Sequence, residues 1–154
     1  MDSIDRNILN LLQTDASLSI AEVAKAVCLS QTPCWKRIQK LENLGIIKGR
    51  VALLDNKKLN LGLTVFVQLK TDKHDERWLN KFAEAVIEMP EVVEVYRMAG
   101  EIDYLLRVVV SDTDSYDRFY KSLIKKVPLN DVSSSFAMEE IKYTTALPIN
   151  SGDD

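Results

Sequence analysis

The stretch Ser30-Gln-Thr-Pro-Cys-Trp-Lys-Arg-Ile-Gln-Lys-Leu-Glu42, set within residues 18–45, decides how this chain is read. Pro33 stands in the first turn of a helix, where a missing N–H costs little, and Ser30 or Thr32 supplies the cap. Gly45 fits the left-handed position that ends such a helix. Just upstream, Leu18-Ser-Ile-Ala-Glu-Val23 has the spacing of a capping box between Ser19 and Glu22, with Leu18 and Val23 at the staple positions. A helix running to about Val27, the short turn Cys28-Leu29-Ser30 and a second, basic helix together describe a helix-turn-helix. An earlier helix starting near Asp2, with Ile4, Ile8, Leu11 and Leu12 on one face, supplies the third helix that closes its core.

The second helix sorts its residues by face. At about 100° per residue, Cys34, Ile38 and Leu41 share one stripe that should pack on the other helices. Thr32, Lys36, Gln39 and Asn43 lie opposite, with Lys40 at an edge, where side chains reach base edges or phosphates from a major groove. Gln31 and Trp35 complete the candidate DNA-facing set, Trp35 as a packing or backbone-buttressing residue rather than a base reader. Arg37 lies nearer the buried stripe, which suits a phosphate contact or a structural ion pair. From Gln31 to Arg50 there are five basic residues, Lys36, Arg37, Lys40, Lys48 and Arg50, against the single acid Glu42. The same pattern is also what a plain solvated helix pair would show; capping, spacing and local charge together favour DNA.

The 154 residues suffice for one large domain or two small ones, and the formal net charge is −3. That charge is uneven: residues 1–50 carry a net of +2 and the remainder a net of −5. A positive head on a negative body suits a focused DNA contact and a second task for the body. No apolar run approaches the ~20 residues that span a bilayer, and no secretory signal is evident, so a cytoplasmic protein without membrane contact is expected. Cys28 and Cys34 read as small core hydrophobes in a reducing compartment. His74 is the only histidine, and with no cysteine cluster no metal site and no cofactor are expected.

Past Gly45, residues 46–54 read as extended chain, and with Lys48 and Arg50 they could form a small wing on the phosphate backbone. Asp55-Asn-Lys-Lys58 is turn-prone and marks a boundary, giving a DNA-binding domain over 1–58 and a second domain over 59–154. The second domain alternates as a strand over 63–70. A helix over 75–89 follows, with Trp78, Phe82, Ala85, Val86 and Met89 on one face and Pro90 at its end. Strands at 92–98 and 104–110 flank the tight connection Ala99-Gly-Glu-Ile-Asp103. A helix with Tyr116, Phe119, Tyr120, Leu123, Ile124 and Val127 inward ends at Pro128, and a last strand runs from Val132 to about Lys142. The expected fold is α+β: a helix-turn-helix, winged if the extended chain pairs, joined to a ferredoxin-like βαββαβ unit. Such a sheet carries helices on one face only, which implies dimerisation through its open face or edges.

This layout resembles the Lrp/AsnC (feast/famine) family of transcription regulators. The residues that carry the resemblance are Ile4-Asp-Arg6 with Ile8-Leu9, and Ser30-x-x-Pro33-Cys-Trp-Lys-Arg37-Ile-x-x-Leu41-Glu42-x-x-Gly45-Ile-Ile. Further along come Gly62, Met98-Ala-Gly100-Glu-Ile-Asp103-Tyr-Leu-Leu106 and Ser135-Phe-x-Met-Glu139-x-Ile-Lys142-Tyr-Thr-Thr-Ala-Leu-Pro148. The resemblance implies a homodimer on double-stranded DNA that assembles further to a tetramer or octamer. It also implies a C-terminal effector-binding (RAM) domain that takes a small molecule, commonly an amino acid, where dimers meet. Carried over residue by residue, the effector set is Gly100, Asp103 and Tyr104, with Met98, and with Ser133, Ser134 and Ser135 facing in from a neighbouring dimer. The Pro33-Cys-Trp-Lys-Arg37 and Met98-Ala-Gly100-Glu101 versions look most like a branch that responds to L-cysteine.

The loop's own chemistry fits that role. Backbone N–H groups beside Gly100 could hold an α-carboxylate and Asp103 an ammonium, although the same residue types equally make a plain hairpin turn. The leading expectation is a sequence-specific, effector-responsive transcription regulator. The alternative is a mainly architectural, weakly specific DNA-wrapping protein. An enzyme is not expected, for the chain shows no phosphate-binding glycine loop, no metal-ligand cluster and no histidine placed to serve a nucleophile.

Overall fold

A computed structural model describes residues 1–72 and 75–149, so His74, the lone histidine, lies outside the described residues. The chain divides into two compact units: Met1–Leu53 together with the segment from Lys142 onward, and Leu54–Ile141.

In the first unit, α1 (Ser3–Thr14), α2 (Ile20–Ala26) and α3 (Gln31–Asn43) surround one small core. Ile8, Val23, Cys34, Ile38 and Leu41 are buried in it, the inward stripes read from the sequence. Burying each aliphatic side chain contributes about 1.5–3 kcal/mol, so this handful holds a three-helix unit together. Asp2 caps α1 through a reciprocal box with Asp5, and Ser19 and Glu22 form the expected box on α2. Ser30 caps α3 by backbone position, without a side-chain hydrogen bond. At its far end Gly45, with φ of +69°, donates to Glu42 C=O, and Ile46 N–H reaches back to Leu41 C=O. This is the Schellman pattern.

Three expectations for this unit change. Residues 46–54 form no strand: among the described residues no segment pairs with them and no β-wing is formed, and Val51, Leu53 and Leu54 are exposed. Cys28 is exposed rather than in the core, because the turn between α2 and α3 places it in the left-handed region with φ of 57°. And the boundary scheme is incomplete. The second unit starts at Leu54 instead of residue 59, and the chain from Lys142 on belongs to the first unit. Its anchor is Gln13 on α1, whose side-chain amide donates to Leu147 C=O (2.9 Å) and accepts from Leu147 N–H (2.8 Å). Asn10 adds a bond to Ile149 C=O, and Ile149 packs on the helical core.

The second unit is the expected βαββαβ fold. β1 (Leu63–Lys70), β2 (Val92–Arg97), β3 (Tyr104–Val110) and β4 (Asp131–Phe136) form one antiparallel sheet in the order β2-β3-β1-β4. α4 (Glu76–Ile87) and α5 (Thr113–Lys126) pack against one face. Val65, Val67, Leu69, Leu106 and Val108 point into that layer, where Trp78 stacks on Phe82 at 5.2 Å and Phe82 meets Tyr104 at 4.6 Å. Period-2 alternation leaves Phe66, Leu105, Tyr96 and the Arg107–Glu94 ion pair (2.9 Å) on the other, uncovered face. β4 ends at Phe136 rather than near Lys142, because its partner β1 begins at Leu63 and Ala137 N–H makes the last bond, to Thr64 C=O. Ile124 stays half exposed instead of joining the core, at the margin of the inward stripe of α5.

Candidate DNA-binding helix and effector loop

The DNA candidate is built on α3, whose inner stripe of Cys34, Ile38 and Leu41 fixes its roll. Gln31, Thr32, Trp35, Lys36 and Lys40 consequently face solvent, as does Asn43. Burial pushes the Cys34 thiol pKa up, so this sulfur stays protonated and inert.

Arg37 does not join the free basic face. Its Nη1 lies 2.7 Å from a carboxylate oxygen of Asp2 and 2.7 Å from one of Asp5. Those two acids are also the capping box of α1, so a single guanidinium ties the start of α1 to the middle of α3. Of the two roles the sequence left open, the geometry takes the ion pair. The Asp5 N–H and then Arg37 hold the Asp2 carboxyl below its usual pKa, and both acids raise that of Arg37.

Gln39 is half-buried, and its Nε2 donates to Glu42 Oε2 at 2.8 Å; the other oxygen of Glu42 takes Arg50 Nη2 at 3.1 Å. Glu42 thus holds a candidate base reader and a candidate phosphate contact together in the DNA-free chain. Lys48 stands exposed on the irregular chain beside them.

In the second unit the β2–β3 connection is shaped by three hydrogen bonds around Asp103. Met98 N–H donates to Asp103 C=O (2.8 Å) and Asp103 N–H to Leu69 C=O (2.9 Å), while Thr71 N–H donates to Asp103 Oδ2 (2.8 Å). Asp103 therefore staples the hairpin to the end of β1 with one carboxylate oxygen. Gly100 has φ of +136°, open to glycine and strained for other residues, and open space lies where a Cβ would project. Met98 is exposed at the same turn.

Tyr104 is not at this loop's surface. It is buried against Trp78 and Phe82, because the first residue of β3 points into the helix layer. The three serines do not share a face either. Ser133 and Ser135 project on the open side opposite Gln68 and Phe66, whereas Ser134 turns inward and its hydroxyl bonds to the Tyr116 hydroxyl. β1 separates them all from β3, so one chain alone does not bring the serines to the loop.

Over residues 64–147 the chain matches the Lrp/AsnC ligand binding domain, and over residues 1–42 the AsnC-type helix-turn-helix domain. The chain belongs to the Lrp/AsnC family. It is 57% identical over 150 residues to the DNA-binding transcriptional activator DecR of Escherichia coli, covering 97% of this chain and 99% of that one. An AsnC family transcriptional regulator from Agrobacterium tumefaciens superposes with a TM-score of 0.93 at 59% identity, over 96% of this chain and 97% of that chain. A Neisseria meningitidis transcriptional regulator, solved as its L-Met complex, gives a TM-score of 0.93 at 35% identity, over 97% of each chain. Its Lrp/AsnC relatives are transcription regulators, and this chain is one, not an enzyme. Among the described residues no helix is long and apolar enough to cross a membrane.

Sequence reasoning left a structural ion pair open for Arg37 but missed its partners Asp2 and Asp5, and it missed the Glu42 latch and the Thr71 staple. Only the first left a trace, in two acids spaced i, i+3 ahead of an apolar helical stripe.

Proposed function

We propose that this Lrp/AsnC regulator binds operator DNA as a cytoplasmic homodimer, further assembled to tetramers or octamers, and that an amino acid, L-cysteine by its motif variant, sets its affinity for DNA. Lys36, Lys40, Thr32 and Gln31 read or approach the major groove. Gln39 joins them once it leaves Glu42, and Lys48 and Arg50 meet phosphates from the chain after α3. The uncovered sheet face, with Phe66, Leu105 and Tyr96 around an ion pair, supports dimerisation through the second unit.

The observation that carries the effector reading is the β2–β3 turn. It presents unencumbered backbone at Gly100 and an aspartate with, among the described residues, one side-chain oxygen engaged, by Thr71, a pairing suited to an α-carboxylate and an ammonium. Met98 flanks it, and Ser133 and Ser135 of another copy complete it. The L-Met complex of the Neisseria relative lends support to an amino-acid ligand.

The test is Asp103→Asn. Asparagine keeps an oxygen for Thr71 N–H while removing the charge, so the variant should bind effector-free operator as wild type does and lose its response to L-cysteine. Titrations of operator and of random DNA, with and without each amino acid, supply the measurement. A wild-type ligand response in the variant would place the effector elsewhere. Equal affinity for operator and random DNA would instead point to an architectural DNA-wrapping protein.

A further inference from the structure

Val95 breaks the burial rule of its strand. It pairs in register with the fully buried Leu106, and alternation puts both on the helix side of the sheet, yet Val95 keeps 40% of its surface. β2 is an edge strand, and α4 leaves it partly uncovered: the small side chain of Ala83 is among those the helix sets there, and Ile87 at the same place stays largely exposed. The result is a notch of about 340 Å³ whose walls include Leu79, Phe82, Ala83, Val86 and Val95. That volume lies within the ~300–1,000 Å³ typical of small-ligand sites.

Its charge is one-sided. Arg97 shares a register position with Tyr104, so it lies on the helix side of the sheet and lines the notch. Among the described residues no carboxylate pairs with it. Glu94 is the one acid at the rim, and its register position puts it on the opposite face, bonded to Arg107.

Apolar walls with one uncommitted guanidinium suit an alkyl chain ending in a carboxylate. A zwitterionic amino acid would leave its ammonium against valine and phenylalanine without an acceptor, which is costly. We infer that the notch between α4 and β2 is a binding site for an aliphatic monocarboxylate of about the size of isocaproate, with the carboxylate on Arg97 and the alkyl chain against Val95 and Phe82. The site is separate from Gly100 and Asp103, and it stands whether or not the amino-acid reading of that loop holds.

The experiment titrates the full-length protein with isocaproate, with its neutral amide and with isoamylamine, followed by calorimetry and by NMR of labelled valine and leucine methyl groups. Saturable binding of isocaproate should shift Val95, Val86 and Leu79, and the amide and the amine should bind at least about tenfold more weakly. Ala83→Leu should fill the notch and abolish binding. Arg97→Gln, a surface change that leaves the core intact, should weaken isocaproate about tenfold and leave the amide unchanged. No saturable binding, methyl shifts confined to the β2–β3 turn, or wild-type affinity for isocaproate in Arg97→Gln would each overturn the proposal; that last variant decides the matter even if Ala83→Leu fails to fold.

Discussion

Two single residues carry more of the helical unit than their neighbours. Cys28 occupies a left-handed turn position, where a residue with a Cβ is strained by about 1–2 kcal/mol relative to glycine. Cys28→Gly should therefore stabilise the unit by about 0.5–1 kcal/mol after the entropy of the unfolded glycine is counted, seen as a raised thermal midpoint. An unchanged or lowered midpoint would mean the turn relaxes around cysteine. Arg37 acts in the opposite sense. Replacing it with Met removes two charge-assisted bonds, one to the nearly buried Asp5, and should cost about 1–2 kcal/mol once partial exposure is allowed for. The clamp also has an acid limit. The Asp2 pKa is lowered in the folded chain, so its stabilisation is complete above the ordinary value of 3.8 and disappears as pH falls through the lower folded value. The stability difference between wild type and Arg37→Met should thus hold above pH 3.8 and narrow as pH falls below it in acid-unfolding curves.

At the scale of the element, the last turn of α3 is a latch. Glu42 holds Gln39 and Arg50 with its two oxygens, and a carboxylate at a helix C-terminus gains nothing from the helix dipole. Glu42→Ala should consequently leave folding intact, tighten binding to all DNA and steepen the salt dependence by ~0.9 if Arg50 gains a phosphate. Gln39→Ala should change a different quantity: discrimination between operator and mismatched sites, by about 1–3 kcal/mol for a lost bidentate base contact, with the salt slope unmoved. Salt titrations on operator and random fragments separate the two. Identical behaviour of both variants on both DNAs would remove Glu42 and Gln39 from the interface.

For the whole molecule, the returning C-terminal segment matters most. The first unit is discontinuous, completed by a stretch that begins more than eighty residues after the unit's own helices end. Gln13→Ala breaks the two-way amide bond to Leu147, and we expect it to lower protection of α1 by about 1 kcal/mol while β1 and β3 keep theirs. Hydrogen exchange resolved by segment measures this. Equal loss of protection in both units would show that they unfold as one.

Much of this protein was legible because it is written in short-range terms. The capping box of Ser19 and Glu22, the stripes of Ile8 and Leu12 or Cys34, Ile38 and Leu41, and the alternation of Val65, Val67 and Leu69 all follow from periods of 3.6 or 2. So does the βαββαβ order, and with it an open sheet face. The tertiary structure decided what depends on choosing among many possible partners. Arg37 could have met a phosphate or any acid, and the fold set it beside Asp2 and Asp5, 35 and 32 residues away. Asp103 found Thr71 at a separation of 32, and Gln13 found Leu147 at 134. The run of three serines was split by the pleat, Tyr104 was drawn inward, and residues 46–54 stayed irregular for want of a neighbouring strand. Local periodicity tells which face of an element is apolar; only the packing of distant elements determines which polar group each side chain will meet.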